Sequence, residues 1–556
     1  MSVRVARLAL VVLIVGLAFH NLAMALLWDA GVRDTALDVV AGWKDVLLLV
    51  ALAAAFWAAR SLPTLHWADR LALAYGAIVV VYWLLPQTWL DGDATARGEL
   101  YALRHHLLPL GAYVLGRLLP LDRIWWRRIG LALVGVACGL VVWGLVDVYL
   151  VPLETWRASG VPGWFEEQLG LAYECLSGLP ENWILNTDEE SPVRRLVSTF
   201  LSPLATAYAL VVVLLLLAAA PPRRWTIAVG ALVFVGLLWT HTRAAFLALA
   251  AGLLVIAALR RSWTHAGLAA GSFVVSLAFV VVFPAIGPET TYTATELACL
   301  RENATEDGDA GRGVFDPGES STASHWRALR DGIRTVAEHP WGFGLGNAGV
   351  SASRTGADVK AGESSYTELG VDAGVLGLAA FVGWLVALAL ALRRRSPWLT
   401  ASLAAFAVLG LQTDVIGIHW LAVAARGRAP RATRRTPRGR GLRCRRRARC
   451  RSTRPPSRRH RFVTPRRRRS RARIPTDARR RSGSRRGVRA SGSRWSSRRG
   501  RGRRFRRRPP PPRSRAGRRA RSPCRSSAAR WSGRPRRTRA RRRTIRPRAQ
   551  RAATSA

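Results

Sequence analysis

Two arginine-containing segments border apolar sequence, where a cation is costly unless it has a role or a partner. Arg194 and Arg195 open the segment 194–203, and Arg243 ends the very short polar turn 240–243 between two apolar runs. An arginine side chain presents a planar fork of donors that fits phosphate oxygens. The first segment could therefore form an anion clamp, and Arg243 is expected to have a functional role or a partner. The alternatives are anchoring of a helix end by Arg194 and Arg195, and an Arg243 side chain that extends to the membrane interface.

Three carboxylates lie where a later apolar run begins. Glu363 precedes the run, and Glu368 and Asp372 lie one helical turn apart on a single face of it. Acidic side chains inside an apolar helix are usually functional. We consider two roles for these groups, a general base and an ion-pair partner for Arg195 or Arg243.

A polar segment of about 80 residues, 286–365, separates two of the apolar runs. Loops of this length are usually functional or disordered. Within it, Trp326, Leu329, Ile333 and Val336 recur at helical spacing, which predicts an amphipathic helix over 324–338 on the membrane surface or over a cavity. His339 and Pro340 follow it, and proline ends a helix.

A glycine-rich stretch follows that helix. Gly342, Gly344 and Gly346 precede Asn347, and glycine lets the backbone approach a neighbouring group closely. The spacing is not that of a dinucleotide-binding loop. The stretch could contact substrate directly or form a tight structural turn.

Eleven apolar runs are of membrane-crossing scale, which is about 20 residues. They are 8–27, 46–59, 71–85, 107–119, 129–151, 204–220, 225–239, 244–259, 266–284, 366–392 and 399–425. Arginine is concentrated in every second loop between them, and the positive-inside bias makes those loops cytoplasmic. We predict an all-α polytopic membrane protein with a cytoplasmic amino terminus. Residues 1–285 hold spans one to nine, 286–365 form a large extracytoplasmic loop, and 366–425 hold spans ten and eleven.

The charge of the chain is concentrated in its last part. Of 85 Lys and Arg residues, 55 are arginines in 426–556, which contains one acidic residue, Asp477. The preceding residues carry 30 basic and 33 acidic groups, so nucleic acid is not an expected partner of the membrane region. We predict that the tail 426–556 is disordered. A polyanion-binding arm is one interpretation. We favour out-of-frame translation that replaces a twelfth helix, which would leave the chain inactive as written.

The cysteines form no metal-binding pattern, and we predict no metal site. Cys175 and Cys299 both lie in predicted outer loops, where an oxidising compartment permits a disulfide. The sequence leaves open whether the two are bonded or free.

Residues 195–203, 242–245 and 339–378 together resemble the O-antigen ligase and polymerase family of bacterial envelope membrane proteins. Trp43-Lys44-Asp45 and Gln412-Thr413-Asp414 fit the family more weakly. The resemblance implies about twelve helices around a large extracytoplasmic loop in the bacterial cytoplasmic (inner) membrane. It also implies transfer of a glycan from a polyprenyl pyrophosphate carrier to the hydroxyl of a glycan or lipid acceptor, with no metal or other cofactor.

By position, Arg195 and Arg243 match the family arginines that hold the pyrophosphate leaving group, and stabilising that departing charge supplies much of the catalysis. Glu363 and Ser364 stand where many ligases have His-Asn, so Glu363 becomes the candidate base and both ligase and polymerase stay open. His325 and His339 are alternative bases. The other candidate substrate contacts in the matching or neighbouring segments are Arg194, Gly344, Gly346, Asn347 and Tyr366.

Two other functions fit a polytopic membrane protein. A transporter of polysaccharide or lipid-linked glycan would predict paired broken helices and repeated halves. A glycosyltransferase that uses a polyprenyl monophosphate sugar would place an acidic pair in the first outer loop, where Asp29, Asp34 and Asp38 are loose candidates.

Overall fold

A computed structural model describes residues 2–59, 63–185, 192–307, 320–418 and 420. The predicted disordered tail, 426–556, lies outside these residues, as does 308–319 of the large loop. The described chain is mostly helical, with helices α1 (Ser2–Asp29), α2 (Asp34–Ala41), α3 (Trp43–Ala58), α4 (Trp67–Leu84), α5 (Ala96–Leu118), α6 (Arg123–Leu150), α7 (Leu153–Arg157), α8 (Val161–Gly163), α9 (Pro203–Ala219), α10 (Arg224–Trp239), α11 (Arg243–Arg260), α12 (Trp263–Ile286), α13 (Ala294–Asp307), α14 (Ser320–Glu338), α15 (Gly349–Ser353), α16 (Ser365–Leu392) and α17 (Pro397–Leu409).

Strands are few in the described residues. The short strands β1 (Ile184–Leu185) and β2 (Val193–Arg194) pair antiparallel, with Ile184 opposite Arg194. This pairing holds the backbone of Arg194 against the loop that follows α8.

Each predicted apolar run begins within or beside one of the longer helices, namely α1, α3 to α6, α9 to α12, α16 and α17. Seven described segments are long and apolar enough to cross a membrane, and one of them combines α2 with α3. The helices α9, α10 and α17 are apolar but have 17, 16 and 13 residues. The helix α5 has 23 residues and carries Arg97, Glu99 and Arg104. The membrane character is thus present, and the count of eleven spans stays a prediction.

The helix α9 lies at the centre of the bundle. Ser202 caps its amino terminus by accepting a hydrogen bond from the Ala205 amide at 3.3 Å, and Pro203 occupies the first helical position. A helix that is apolar on all sides is stable only when it is surrounded. The consecutive residues 209–213 are accordingly all buried. Around α9 pack α10, α11, α17 and α6.

The helix α16 is interrupted close to its amino-terminal end. Ala373 and Gly374 leave the helical conformation, and Gly374 has a φ of 65°. A Cβ atom on Gly374 would lie 2.7 Å from the Trp341 carbonyl oxygen, so a glycine is required here. The Phe343 amide donates to the Val371 carbonyl at 2.7 Å and the Val375 amide donates to the Pro340 carbonyl at 2.9 Å. The glycine-rich stretch is thereby fixed to the first turns of α16.

The predicted amphipathic helix is present as α14, and it packs against α16. Gly332 approaches Thr367, and Val336 approaches Gly370. Trp326 and Ile333 are exposed, so only part of the predicted apolar stripe faces protein.

Cys175 and Cys299 are joined in a disulfide, with their Cα atoms 5.3 Å apart. The bond connects α13 to the loop before α9. The same helix is held by Glu296, whose carboxylate accepts hydrogen bonds from Arg157 and from the Ser177 hydroxyl, both at 2.6 Å. The sequence left open whether Cys175 and Cys299 are bonded or free, and in the structure they are bonded.

We expect Cys175→Ser to lower the free energy of unfolding by about 2–5 kcal/mol, because the bond closes a long loop. Thermal unfolding of the detergent-solubilised protein, with and without reductant, measures this change. Cys138→Ser is the matched control, because Cys138 is a free cysteine within α6. Labelling of Cys299 by a maleimide in intact, unreduced cells would contradict the expectation.

Candidate active site

A cavity of about 590 Å³ lies where one end of the bundle meets the loops. It is lined by the carboxyl-terminal part of α1, the amino-terminal parts of α3, α5, α9 and α16, the helix α15 and the residues after α17. Its volume lies within the range of small-molecule sites, about 300–1,000 Å³. All these helix ends are on the side that the sequence predicts to be extracytoplasmic.

One group of lining side chains is basic. It contains Lys44 on α3, Arg104 on α5 and Arg354 just after α15. The Lys44 Nζ atom lies 2.6 Å from His20 Nε2, and Arg104 Nη2 lies 2.6 Å from Asp45 Oδ2. Three basic side chains from separate elements thus form one wall of the cavity, the basic wall, on which the two guanidinium groups carry positive charge.

This basic wall has unused hydrogen-bond donors. The Nε atoms of Arg104 and Arg354 are buried and have no hydrogen-bond partner in the part of the chain that the structure describes. Burial is the largest influence on Arg354 and lowers its pKa below the ordinary value, and the charge of Arg104 adds to this effect. A buried guanidinium with an unsatisfied donor is costly, and a bound anion would remove that cost. The wall is therefore suited to a multiply charged anion.

A second group of lining side chains is acidic, formed by Glu363, Glu368 and Asp414. Asp414 follows α17, and its Oδ1 atom accepts hydrogen bonds from the amides of Ile416 at 2.9 Å and Gly417 at 3.0 Å. Carboxylates that line a cavity can act as bases or orient hydroxyl groups.

Behind the acidic group is a much smaller cavity of about 10 Å³, lined by His105, His106, Glu368, Asp372 and Asp414 among others. The buried His106 bridges Asp372 at 3.1 Å and the Tyr75 hydroxyl at 3.0 Å. The carboxylates predicted on one face of α16 therefore have different surroundings. Glu368 lines both cavities, whereas Asp372 lines only the smaller one.

The predicted base Glu363 lines the large cavity and pairs with His325 of α14, with 2.6 Å between Glu363 Oε2 and His325 Nδ1. Its φ of 63° is unusual for a residue other than glycine, and such strain is concentrated at functional sites. The hydrogen bond from His325 lowers the pKa of Glu363 below its usual range. Two of the predicted site residues are thus brought together.

Arg195 and Arg243 are also brought together. Arg195 donates to the Thr240 carbonyl at 2.9 Å and to the Thr242 hydroxyl at 3.2 Å. Burial, followed by the charge of Arg243, lowers the pKa of Arg195 to about 10. Neither arginine is among the described residues that line the large cavity.

Tyr208 connects this arginine pair to the cavity. It interacts electrostatically with Arg195 and forms a side-chain hydrogen bond with Thr413, which lines the cavity. The charge of Arg195 is therefore felt by a side chain that also interacts with the cavity lining.

Arg194 is buried in a different environment. Its guanidinium forms an ion pair with Asp147 at 3.1 Å and donates to the carbonyl oxygens of Asp147 and Val151. Asp147 also accepts a hydrogen bond from the Trp156 indole at 2.6 Å. These contacts join α6, α7 and β2. They satisfy the charge of the buried Arg194 side chain, so a bound substrate is not needed to explain its burial.

The glycine-rich stretch contacts protein. A Cβ atom on Gly344 would lie 2.9 Å from the Gln87 side chain, and one on Gly346 would lie 2.7 Å from the backbone of Gly98. The side-chain amide of Asn347 donates to Gln87 at 2.8 Å and to the Gly344 carbonyl at 2.9 Å. The sequence left two roles open for this stretch, direct contact with substrate and a tight structural turn. These contacts with protein favour the structural turn.

The last two predicted site residues, His339 and Tyr366, do not line the cavity. The His339 ring packs at 4.5 Å from that of Phe343. The Tyr366 hydroxyl donates to the Ala407 carbonyl at 2.9 Å, which ties α16 to α17.

Sequence reasoning did not select Lys44, Arg104, His105, Arg354 or Asp414 as site residues. A usable signal existed for four of them. Arg104 and His105 immediately precede the apolar run 107–119, and Asp414 interrupts the run 399–425, which is the pattern of polar groups that face a cavity. Lys44 and Asp414 also fall in the two weakly matching family segments. Arg354 lies in the long loop and had no such signal.

No group of three or more His, Cys, Asp or Glu side chains in the described ranges is arranged to hold a metal ion. Residues 227–382 match the model of a protein family described as O-Antigen ligase. The matched part runs from α10 into α16, and it includes Arg243, α14 and Glu363. No curated protein matches the chain.

Proposed function

We propose that this chain, which belongs to the O-antigen ligase and polymerase family, transfers a glycan from a polyprenyl pyrophosphate donor to an acceptor hydroxyl at the outer face of the bacterial cytoplasmic membrane. The observation that carries this proposal is the basic wall formed by Lys44, Arg104 and Arg354, with its two unsatisfied Nε donors. A pyrophosphate group presents several oxygens that such donors can bind.

The same wall stabilises the leaving group. When the glycosidic bond breaks, negative charge develops on the pyrophosphate oxygen, and fixed cations in a partly water-excluded site lower the energy of that state. Arg195 and Arg243 do not line the cavity. Their positive charges are proposed to stabilise the departing pyrophosphate electrostatically, without direct contact.

The acceptor hydroxyl is proposed to lie against the acidic group of Glu363, Glu368 and Asp414, because a hydroxyl nucleophile needs a group that takes its proton. Both a lipid and a growing glycan can present such a hydroxyl, so ligase and polymerase activity share this arrangement. The transporter alternative predicts paired broken helices, and the described spanning helices contain one break with non-helical dihedral angles, in α16.

We expect Arg195→Ala and Arg243→Ala to abolish surface glycan while lipid-linked donor accumulates and the protein stays inserted in the membrane. The reason is loss of stabilisation of the departing pyrophosphate. Gel analysis of surface glycan and extraction of lipid-linked glycan measure the two effects. Arg224→Ala is the control, because Arg224 is an exposed arginine at the other end of the bundle. Unchanged glycan in both variants would discard this role.

A further inference from the structure

His105 and Asp414 form a pair on the wall of the large cavity. His105 Nε2 lies 3.4 Å from Asp414 Oδ1, and both residues line the large and the small cavity. His105 comes from α5, whereas Asp414 comes from the loop after α17. The pair is therefore assembled by the fold and not by local sequence.

The loop after α17 is shaped around this pair. A Cβ atom on Gly417 would lie 2.9 Å from His105 Cε1 and 2.3 Å from Asp414 Oδ2, so a larger residue would displace one of them. The amides of Ile416 and Gly417 hold the carboxylate, as described above. Behind the imidazole, the His106 ring packs edge-on at 5.2 Å between centroids, and His106 is itself fixed by Asp372 and Tyr75. Both members of the pair are thus positioned next to each other before any substrate binds.

This geometry has a chemical consequence. A carboxylate that accepts from the Nε2 hydrogen of a histidine selects the tautomer whose Nδ1 atom is a free acceptor. A base oriented by a third group is the usual arrangement for activating a hydroxyl nucleophile. The 3.4 Å separation is long, and such contacts commonly tighten when substrate is bound.

Glu363 is less suited to this task. Its carboxylate already accepts from His325, and the two side chains are 46% and 42% exposed. The hydrogen bond holds the pKa of Glu363 below its usual range, which weakens it as a base at neutral pH. His105 is more enclosed, with a side chain that is 19% exposed.

We infer that His105 is the general base of the transfer reaction and that Asp414 is the positioning residue that orients it. The inference rests on the proposed function. The acceptor oxygen forms a bond to the anomeric carbon while the bond between that carbon and the pyrophosphate oxygen breaks. The bonding pair leaves with the pyrophosphate, which Lys44, Arg104 and Arg354 stabilise. The hydroxyl proton passes to His105 Nδ1 and then to water in the cavity.

The test uses membranes that contain the full chain, supplied with lipid-linked glycan extracted from a strain that lacks the gene. We expect His105→Ala to transfer glycan at least about 100-fold more slowly, as removal of a general base does. Added imidazole should restore part of the rate, because the vacated site opens to the cavity. His105→Gln provides a second variant of similar size, and size-exclusion chromatography checks its folding. His265→Ala is the control, because His265 lies in α12 and does not line the cavity.

The variant Asp414→Asn tests whether Asp414 orients His105 or only contributes to the packing of the loop. The groups that face His105 are Asp414 from the loop, Asp372 and Glu368 from α16, Arg354 after α15, and the neighbouring His106. Loss of the Asp414 charge should move the acid limb of the rate profile to lower pH, because the carboxylate that stabilises the imidazolium is gone. A purely structural role would reduce the rate without moving that limb.

Transfer by His105→Ala within about threefold of the unsubstituted chain, or a loss that imidazole does not relieve in a folded variant, would overturn the inference. These outcomes differ from failure of the proposed function itself. If the unsubstituted chain consumes no lipid-linked donor, the proposed function fails. If it does and His105→Ala does so equally, only the assignment of the base fails.

Discussion

Arg354→Gln is expected to slow glycan transfer by about 10²- to 10³-fold, the usual effect of removing one preorganised stabiliser of developing charge. Arg354 lines the cavity, its Nε donor has no partner within the described residues, and it comes from the long loop. The rate of transfer in membranes measures the loss. Arg334→Gln is the control, because Arg334 is exposed on α14 and pairs with Glu338 at 2.8 Å.

The same variant should also bind a pyrophosphate probe more weakly. We expect farnesyl pyrophosphate to raise the unfolding temperature of the unsubstituted chain and to have little effect on Arg354→Gln. Farnesyl monophosphate should stabilise less, because it offers fewer oxygens to the basic wall. Equal stabilisation by both probes would favour the glycosyltransferase that uses a monophosphate donor. An unchanged transfer rate in Arg354→Gln would remove the basic wall from the mechanism.

Arg194→Met is expected to reduce stability by about 3–5 kcal/mol, because it leaves the buried Asp147 carboxylate without its ion-pair partner. Thermal unfolding in detergent and the amount of protein in the membrane measure this effect. The double variant Arg194→Met with Asp147→Asn should recover part of the loss, since no charge is then left unpaired. A variant Arg194→Met that is as stable as the unsubstituted chain but inactive would instead support the substrate-binding role.

The membrane architecture could be predicted from the sequence because it depends on a local property. A run of apolar residues long enough to cross a bilayer forms a helix whatever its neighbours are, since no other backbone conformation satisfies its hydrogen bonds in lipid. The apolar run 399–425 is an exception to this rule. Its helix ends at Leu409, and the polar residues that follow, Thr413 and Asp414, turn toward the cavity.

The site was harder to predict because it is assembled from distant elements. The sequence predicts both Glu363 and His325 as site residues, and the structure places them in contact. The basic residues Lys44, Arg104 and Arg354 come from three elements that only tertiary packing brings together. No spacing rule links them along the chain.

The glycine-rich stretch and Arg194 illustrate a second limit. The sequence indicates that a backbone must approach something closely at Gly346, or that a buried arginine needs a partner, but it does not identify the partner. In the structure the backbone of Gly346 approaches Gly98, and Arg194 pairs with Asp147. Both residues contact protein and do not line the cavity.

The fate of the donor's pyrophosphate during transfer distinguishes the proposed reaction from its alternatives. Proteoliposomes that contain the full chain would be supplied with lipid-linked glycan from a strain lacking the gene, and polyprenyl pyrophosphate and transferred glycan would be measured together. We expect both products to appear in equal amounts, and both to form about 10²- to 10³-fold more slowly in Arg354→Gln. Release of polyprenyl monophosphate in the transfer step, or movement of intact lipid-linked glycan across the bilayer without cleavage, would contradict the account.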